Sequence, residues 1–260
     1  MTQFGQDLKT WRSTRRLSQL ALATECGISA RHLSFLETGR ARPSRGMILR
    51  LSESLSMPRS ARNRMLIAAG FAPVFPDIHR DQDVMAPFEA AITRMLQNHA
   101  PFPAVVMDRM WRILEMNAPA EMLFSDLGLR SGQSLIEVML DQNIGPQIVE
   151  NWGEVGHHAL TRLRAESAAA GGIPELEDAA DRLTRDPDVA KFEPSIPLPP
   201  VTATIIKAGP MRLSLFSTFA QFGSAEDVTL SDLKIELMFP SNDETRLFLE
   251  SLADPSQAEQ

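Results

Sequence analysis

Between Ser18 and Arg45 the chain reads SQLALATECGISARHLSFLETGRARPSR. These residue types at these spacings suit recognition of a polyanion better than bond cleavage. Gln19 is followed by Leu22 and Ala23, then by Gly27, Ile28 and Ser29, and then by Leu33, Leu36, Glu37 and Gly39. Two short helices that cross closely need a small residue at the contact, here Ala23, and a left-handed turn between them needs a glycine, here Gly27. Leu22, Cys26, Ile28, Leu33 and Leu36 supply a shared core, which puts the one cysteine in the interior rather than in redox work. The N-terminal end and outer face of the later helix are then free to enter a DNA major groove about 12 Å wide. No GxSxG elbow, phosphate loop or dinucleotide fingerprint occurs.

The elements that must hold this pair are legible on either side. Phe4, Leu8 and Trp11 form one face of a first helix. Ser18 and Ser29 cap the second and third, which Gly27 and Gly39 end. Pro43 and Ser44 open a fourth, with Met47, Ile48, Leu51 and Leu55 as its apolar face. Pro58 opens a fifth, carrying Met65, Leu66 and Ala69, and Gly70 stops it. Residues 73–86 then bring prolines and scattered charges and read as a linker between a domain at 1–72 and another at 87–253, with 254–260 a flexible tail. In the second domain a helix is expected around Phe88–Asn98. Short strands follow at Val105–Met107 and Arg112–Met116, and Asn117 caps a helix containing Phe124. Residues 147–169 and 174–185 read as helices, and the five prolines of 186–200 as a loop or extended connector. Three strands come next, VTATIIKA, MRLSLFSTFAQF and LKIELMF, and a closing helix from about Asn242 to Leu252. The fold class is therefore a mainly α five-helix head plus an α+β domain, an antiparallel sheet with helices on one face.

Charge separates the two parts. The chain of 260 residues carries a net −7, yet residues 1–80 hold thirteen Lys and Arg against five Asp and Glu, a net of +8. Residues 81–260 hold thirteen against twenty-eight, a net of −15. A basic head on an acidic body implies a polyanion partner for the head alone. One cysteine excludes an internal disulfide framework. The N-terminus lacks a signal-peptide apolar run and no stretch reaches the roughly 20 apolar residues of a membrane span, so the cytoplasm is expected, with no membrane partner.

The segment from Gln19 to Arg45 resembles the Xre family of phage-repressor-like helix-turn-helix regulators, over roughly residues 3–70. The resemblance implies sequence-specific binding to a double-stranded DNA operator as a homodimer. It makes Gln19 a phosphate contact at a helix N-terminus and sets Ser29, Ala30, Arg31, Ser34 and Phe35 where the family meets base edges. Arg31 would be bidentate to guanine, and Ala30 or Phe35 would meet a thymine methyl. Arg40, Arg42 and Arg45 would hold backbone phosphates, while Arg12 and Glu37 would be a structural ion pair. Further on, AAGFAP, FPAVVMDRMWRILEMNAPAEMLF and SAEDVTLSDLKIELMFPSNDETR are similar to the MmyB-like branch of Xre regulators, whose second domain is PAS-like and ligand-binding. Gly171–Pro200 departs from that pattern.

What the resemblance implies for that domain is a sensor of a small apolar ligand, with fatty acyl compounds the leading class, whose binding modulates operator affinity. Thirteen methionines suit a flexible apolar ligand. Met107, Trp111, Met122, Phe124, Trp152, Phe216 and Phe219 are the expected lining and Arg112 the expected cation, with Arg109, His157, His158 and Arg162 as further candidates for a carboxylate. Against this, methionines and aromatics at strand or helix spacing more often form ordinary core, and Arg162 and Arg164 read as solvated helix charges. His157–His158 is no metal signature, since adjacent helical residues point about 100° apart, and neither metal nor cofactor is expected. Two other classes compete. Ser195 with Lys234 could form a self-cleaving dyad acting at Ala170–Gly171, but prolines surround Ser195 and helical segments precede it, so no enzyme is expected. Alternatively the second domain is an antitoxin-like or adaptor-like module that binds a protein partner and no small molecule.

Overall fold

A computed structural model describes every residue except Met1, Asp81, Asp126, Leu127, Leu198, Pro210, Ser224 and residues 254–260. The expected tail thus lies outside the described residues. The head holds α1 (Gln3–Thr14), α2 (Gln19–Glu25), α3 (Ala30–Thr38), α4 (Arg45–Ser54) and α5 (Arg59–Ala68). Four of the five begin on a hydroxyl cap: Thr2, Ser18, Ser29 and Ser44 each accept a backbone N–H three residues ahead. Gly39 ends α3 in the left-handed region at φ 76°. The packing makes Gly5 as necessary as Ala23, because a Cβ at Gly5 would stand 2.4 Å from the Glu37 carbonyl oxygen. Leu8, Leu22, Leu33, Leu36, Ile48 and Leu51 are all fully buried in one core.

The chain falls into two compact units. One comprises Met1–Ile78 together with Ala165–Pro174 and Ala225–Ser231. In it Arg15 donates from Nη1 and Nη2 to the carbonyls of Ala168 and Ala169 (2.8 and 2.9 Å), and the Asp227 carboxylate accepts the N–H of Ile78.

The second unit is built on a sheet of β1 (Ala104–Met107), β2 (Ile113–Met116), β3 (Thr204–Ala208), β4 (Met211–Ala220) and β5 (Lys234–Pro240). The order is β2-β1-β5-β4-β3 and all four pairings are antiparallel. Helices α6 (Ala86–Asn98) and α7 (Ala118–Ser125) precede and follow the first hairpin. Between β2 and β3 the chain continues through α8 (Leu135–Leu140), α9 (Gly145–Ile148), α10 (Trp152–Ala170), α11 (Pro174–Arg185) and α12 (Pro187–Lys191). α13 (Val228–Asp232) precedes β5, and α14 (Asp243–Ala253) packs on β4 and β5. This strand order, with its helices inserted between β2 and β3, makes the domain PAS-like.

Asn117 shows why a polar residue belongs in that interior. Its Oδ1 accepts the N–H groups of Ala104 and Ala120, and its Nδ2 donates to the carbonyls of Leu96 and Phe102, so one buried amide caps α7 and ties it to α6 and β1. Four helices differ from the sequence expectation. Residues 187–191, expected as connector, are helical because Asp186 caps them, accepting the N–H groups of Asp188 and Val189. The short α8, α9 and α13 are too brief for an apolar period to show, and α9 and α10 are separate where one helix was expected over 147–169.

Candidate nucleic-acid interface and ligand cavity

The outer surface of α3 is presented by what its inner surface buries. Leu33, Leu36 and Glu37 face the interior, which leaves Arg31 exposed and Ser34 and Phe35 half-buried. The Arg31 guanidinium lies 5.3 Å from the Phe35 ring centroid, a stacked pair that holds the cation against the helix. Ser29 is exposed, but its hydroxyl accepts the N–H of His32 as the cap of α3. Ala30 is half-buried and packs against the core. Arg40, Arg42 and Arg45 are all exposed, on or after the turn that leaves α3.

Arg12 and Glu37 form a bidentate pair across α1 and α3, Nε to Oε1 at 2.6 Å and Nη2 to Oε2 at 3.1 Å, with Glu37 only 3% exposed. Arg12 Nη1 also donates to the Leu17 carbonyl. Gln19, expected at a phosphate, donates from Nε2 to Glu37 Oε2 at 2.7 Å. One of its two amide hydrogens is therefore committed to the same buried carboxylate, which anchors the start of α2 beneath α3. Cys26 is buried, its thiol 3.3 Å from the Ser54 hydroxyl.

The second unit contains a cavity of about 470 Å³ between the sheet and the helices that follow β2, within the range of small-molecule sites. On α10, Trp152, Val155, Ala159 and Arg162 line it. They recur at helical spacing on one face, and a rise of about 1.5 Å per residue puts the first and last roughly 15 Å apart. On β4, Leu215, Ser217 and Phe219 line it at alternate positions, and Glu236 and Met238 on β5 do the same. α8 and α9 supply the apolar cover, including Met139 and Ile144, and Gly145 is required because a Cβ there would meet the Met139 carbonyl oxygen at 2.3 Å. At the start of α10 the Trp152 indole donates to Asp186 Oδ2 at 3.1 Å. Burial alone would raise the Asp186 carboxyl, but hydrogen bonds from Trp152, the backbone of Val189, Gln142 and the backbone of Asp188 outweigh it and hold it below its ordinary value.

At the other end of α10 the Arg162 guanidinium lies 3.8 Å from the Phe219 ring centroid and 4.2 Å from that of Trp111. Phe219 is the register partner of Glu236, and Lys234 Nζ stands 5.8 Å from the Trp111 centroid. Lys234 and Glu236 are both buried. The exposed residues of the lining are His158, Pro200, Val201 and Phe219.

Of the residues expected at a ligand, Trp111, Phe124, Trp152 and Phe219 line this cavity. Met107 does not; it is wholly buried in β1. Met122 is 49% exposed on α7, and Phe216 is stacked on Phe239 because alternation along β4 turns it away from Leu215 and Ser217. Arg112 is exposed and donates to the Gly132 carbonyl, away from the cavity. Arg109 pairs with Asp232, and His157 packs on Phe192. His158 and Arg162, both among the candidate cations, line the cavity, although Arg162 was also read as a solvated charge. Sequence reasoning missed Glu236 and the α8–α9 cover; a charge inside the strand LKIELMF was the available signal for the first.

A family model described as the MmyB-like transcription regulator ligand binding domain matches residues 88–252. The chain belongs to the MmyB-like transcription regulators. A second model, a helix-turn-helix domain, matches residues 3–65. A relative from Bacillus subtilis (strain 168), the uncharacterized HTH-type transcriptional regulator RghRB, is 33% identical over 100 residues, 36% of this chain and 70% of its own length. Among solved structures, the PAS domain from Bordetella pertussis BvgS is 17% identical with a TM-score of 0.29, over 66% of this chain and 98% of that one. An RNA-binding Light-Oxygen-Voltage receptor is 11% identical with a TM-score of 0.28, over 100% of this chain and 64% of that one. As an MmyB-like regulator the protein is a helix-turn-helix DNA-binding transcription regulator that carries a ligand-binding domain. Among the described residues no helix is long and apolar enough to cross a membrane, and no cluster of His, Cys, Asp and Glu could hold a metal ion.

Proposed function

We propose that this MmyB-like regulator acts in the cytoplasm as a homodimer on a pseudo-palindromic operator, and that an apolar acyl compound in the cavity of its PAS-like domain modulates operator affinity. Two copies of α3 would enter successive major grooves about 34 Å apart. Arg31 and Phe35 are assigned to base edges, with Ser29, Ala30 and Ser34 beside them, and Arg40, Arg42, Arg45 and Gln19 to phosphates.

The observation that carries the ligand reading is the 470 Å³ apolar cavity. A module that bound only a protein partner would have no use for that space, since protein interiors are otherwise close-packed. Support for modulation comes from α10. Its first half lines the cavity, and its last turn gives the Ala168 and Ala169 carbonyls to Arg15 within the unit that contains the helix-turn-helix. A ligand that favours one placement of α10 would shift the population of DNA-binding geometries.

The test is organic extraction of the purified protein with mass spectrometry of the extract, followed by titration of the recovered compound against operator binding. Near-stoichiometric recovery of an acyl compound that changes operator affinity is the expected result. A compound that fills the cavity without changing that affinity would sink the modulation, and an empty extract from a protein that takes up no added acyl compound would sink the sensor reading.

A further inference from the structure

The stretch that leaves the head after α5 is fastened to it rather than loose. We infer that residues 74–78 and 225–231 form a clasp on α5, and that this clasp holds the helix-turn-helix in its DNA-binding form. The inference rests on the head binding DNA and not on what the cavity takes.

Asn63 makes the first hold. It is buried on α5, where its Oδ1 accepts the N–H groups of Val74 and Phe75 at 3.0 and 3.1 Å and its Nδ2 donates to the Phe75 carbonyl at 2.8 Å. One side-chain amide thus pairs with the backbone as a neighbouring strand would, which aspartate, with no donor, cannot do. The Phe75 ring is thereby set 6.0 Å from the guanidinium of Arg59 and 5.7 Å from that of Arg62, both on α5.

Residues 225–231 make the second hold. The Val228 N–H donates to the Pro76 carbonyl at 2.8 Å, Asp227 Oδ2 accepts the Ile78 N–H at 2.9 Å, and Thr229 Oγ1 donates to Asp77 Oδ1 at 3.0 Å. Asp227 Oδ1 meanwhile accepts the Leu230 N–H, which fixes its own segment. Glu226 returns the loop to α5 by a two-pronged pair with Arg59, at 2.9 and 3.3 Å. Ala225, Asp227, Val228 and Leu230 are buried, and every residue of the clasp belongs to the unit that contains the head.

The helix so held supports the DNA-reading one. α5 packs on α1 and α4, and its Ala61, Met65 and Leu66 enter the same core as Leu33 and Leu36 of α3. In the sequence, residues 225–231 lie between β4 and β5, whose Phe219 and Glu236 pair in register and line the cavity. The loop that closes the clasp is therefore covalently anchored in cavity strands, and a shift of those strands reaches α5 through it as well as through α10.

The experiment measures amide hydrogen exchange in the full chain, and affinity for a duplex that the unaltered chain selects from a randomised library. In the unaltered chain the amides of Val74, Phe75, Ile78 and Val228 should exchange slowly and together. Asp227→Ala removes none of the acceptors of Val74 and Phe75, yet should speed their exchange at least about tenfold and weaken duplex binding about threefold or more, with the β1 amides unchanged. Unprotected amides in the unaltered chain, or unchanged exchange at Val74 and Phe75 in the variant, overturn the clasp. Faster exchange with unchanged duplex affinity overturns its role in DNA binding. If the β1 amides also exchange faster, the variant has lost its fold. The milder pair Glu226→Gln with Thr229→Val, which trims only the Arg59 and Asp77 contacts, then decides by the same two readouts. An unaltered chain that selects no duplex would sink the DNA reading, and the role of the clasp in it, while the exchange results still decide the clasp itself.

Discussion

The interior of the helical head and the interior beside α10 use the same kinds of side chain, yet one is filled and the other is hollow. In the head, short helices interlock because Gly5 and Ala23 let the backbones approach, and eight large aliphatic residues reach zero exposure. In the PAS-like domain, α8 and α9 roof the sheet and leave about 470 Å³ between them. Buried charge differs in the same way. Glu37 is held by Arg12 and Gln19 inside the packed core, whereas Arg162 and Glu236 line the cavity. A scaffold that must present α3 rigidly closes its interior, and a domain that must admit a guest leaves its interior open.

The largest expected effect tests the charge half of that contrast. Glu37→Ala leaves Arg12, only 12% exposed, facing no carboxylate, and should cost about 3–5 kcal/mol in denaturant unfolding of the head. Glu236→Gln on the cavity wall should cost less, because the amide keeps the side chain's size and one acceptor oxygen. Equal losses would break the comparison.

Packing comes next. Leu36→Ala, in a fully buried site, should cost about 2–5 kcal/mol. Met139→Ala, facing the cavity, should cost under about 1.5 kcal/mol because it enlarges an existing space rather than opening a new one. A Met139→Ala loss as large as that of Leu36→Ala would mean the space is closed in solution.

Gly171 sets a tight seat in the head-containing unit. Its φ is +89° and a Cβ would stand 2.1 Å from the Trp11 ring. Gly171→Ala should destabilise by about 1–3 kcal/mol and weaken the response of operator binding to ligand. An unchanged response would remove this contact from the proposed route.

On DNA, Arg31→Ala should cost about 1–3 kcal/mol and relax specificity at one base position, while Arg42→Ala should weaken binding to every sequence and lower the salt slope by about one. Equal loss on operator and random DNA for Arg31→Ala would move Arg31 from base edges to phosphates.

The smallest effect is electrostatic and lies beside the cavity. Asp186 is held below its ordinary value near 3.8, so its contribution is present above that pH and is lost as pH falls through the lower folded value. Asp186→Asn should flatten this part of the acid limb of the stability curve, measured by thermal unfolding across pH. An unchanged acid limb would show that the cap of α12 does not depend on charge.

Much of this was legible because it is local. Hydroxyl caps, stop glycines and 3.6-residue apolar faces are properties of a dozen neighbouring residues, so all five head helices and the outward face of α3 follow from reading Gln3 to Ala68. Alternation likewise exposed the strands of the second domain, and Asn117 announced the cap it provides. The helix of Pro187–Lys191 stayed hidden because prolines read as connector until the Asp186 cap is seen. Gln19 looked free for phosphate because its partner, Glu37, lies eighteen residues away. Phe216 and Phe219 have identical chemistry in the sequence, and the pleat of β4 alone decided that one stacks on Phe239 while the other closes on Arg162. By itself the sequence determined the DNA-reading head and its charge, since those are written in nearest neighbours. The cavity and the aromatic seat of Arg162 were decided by tertiary structure, because they depend on α10 and two antiparallel strands meeting from distant parts of the chain.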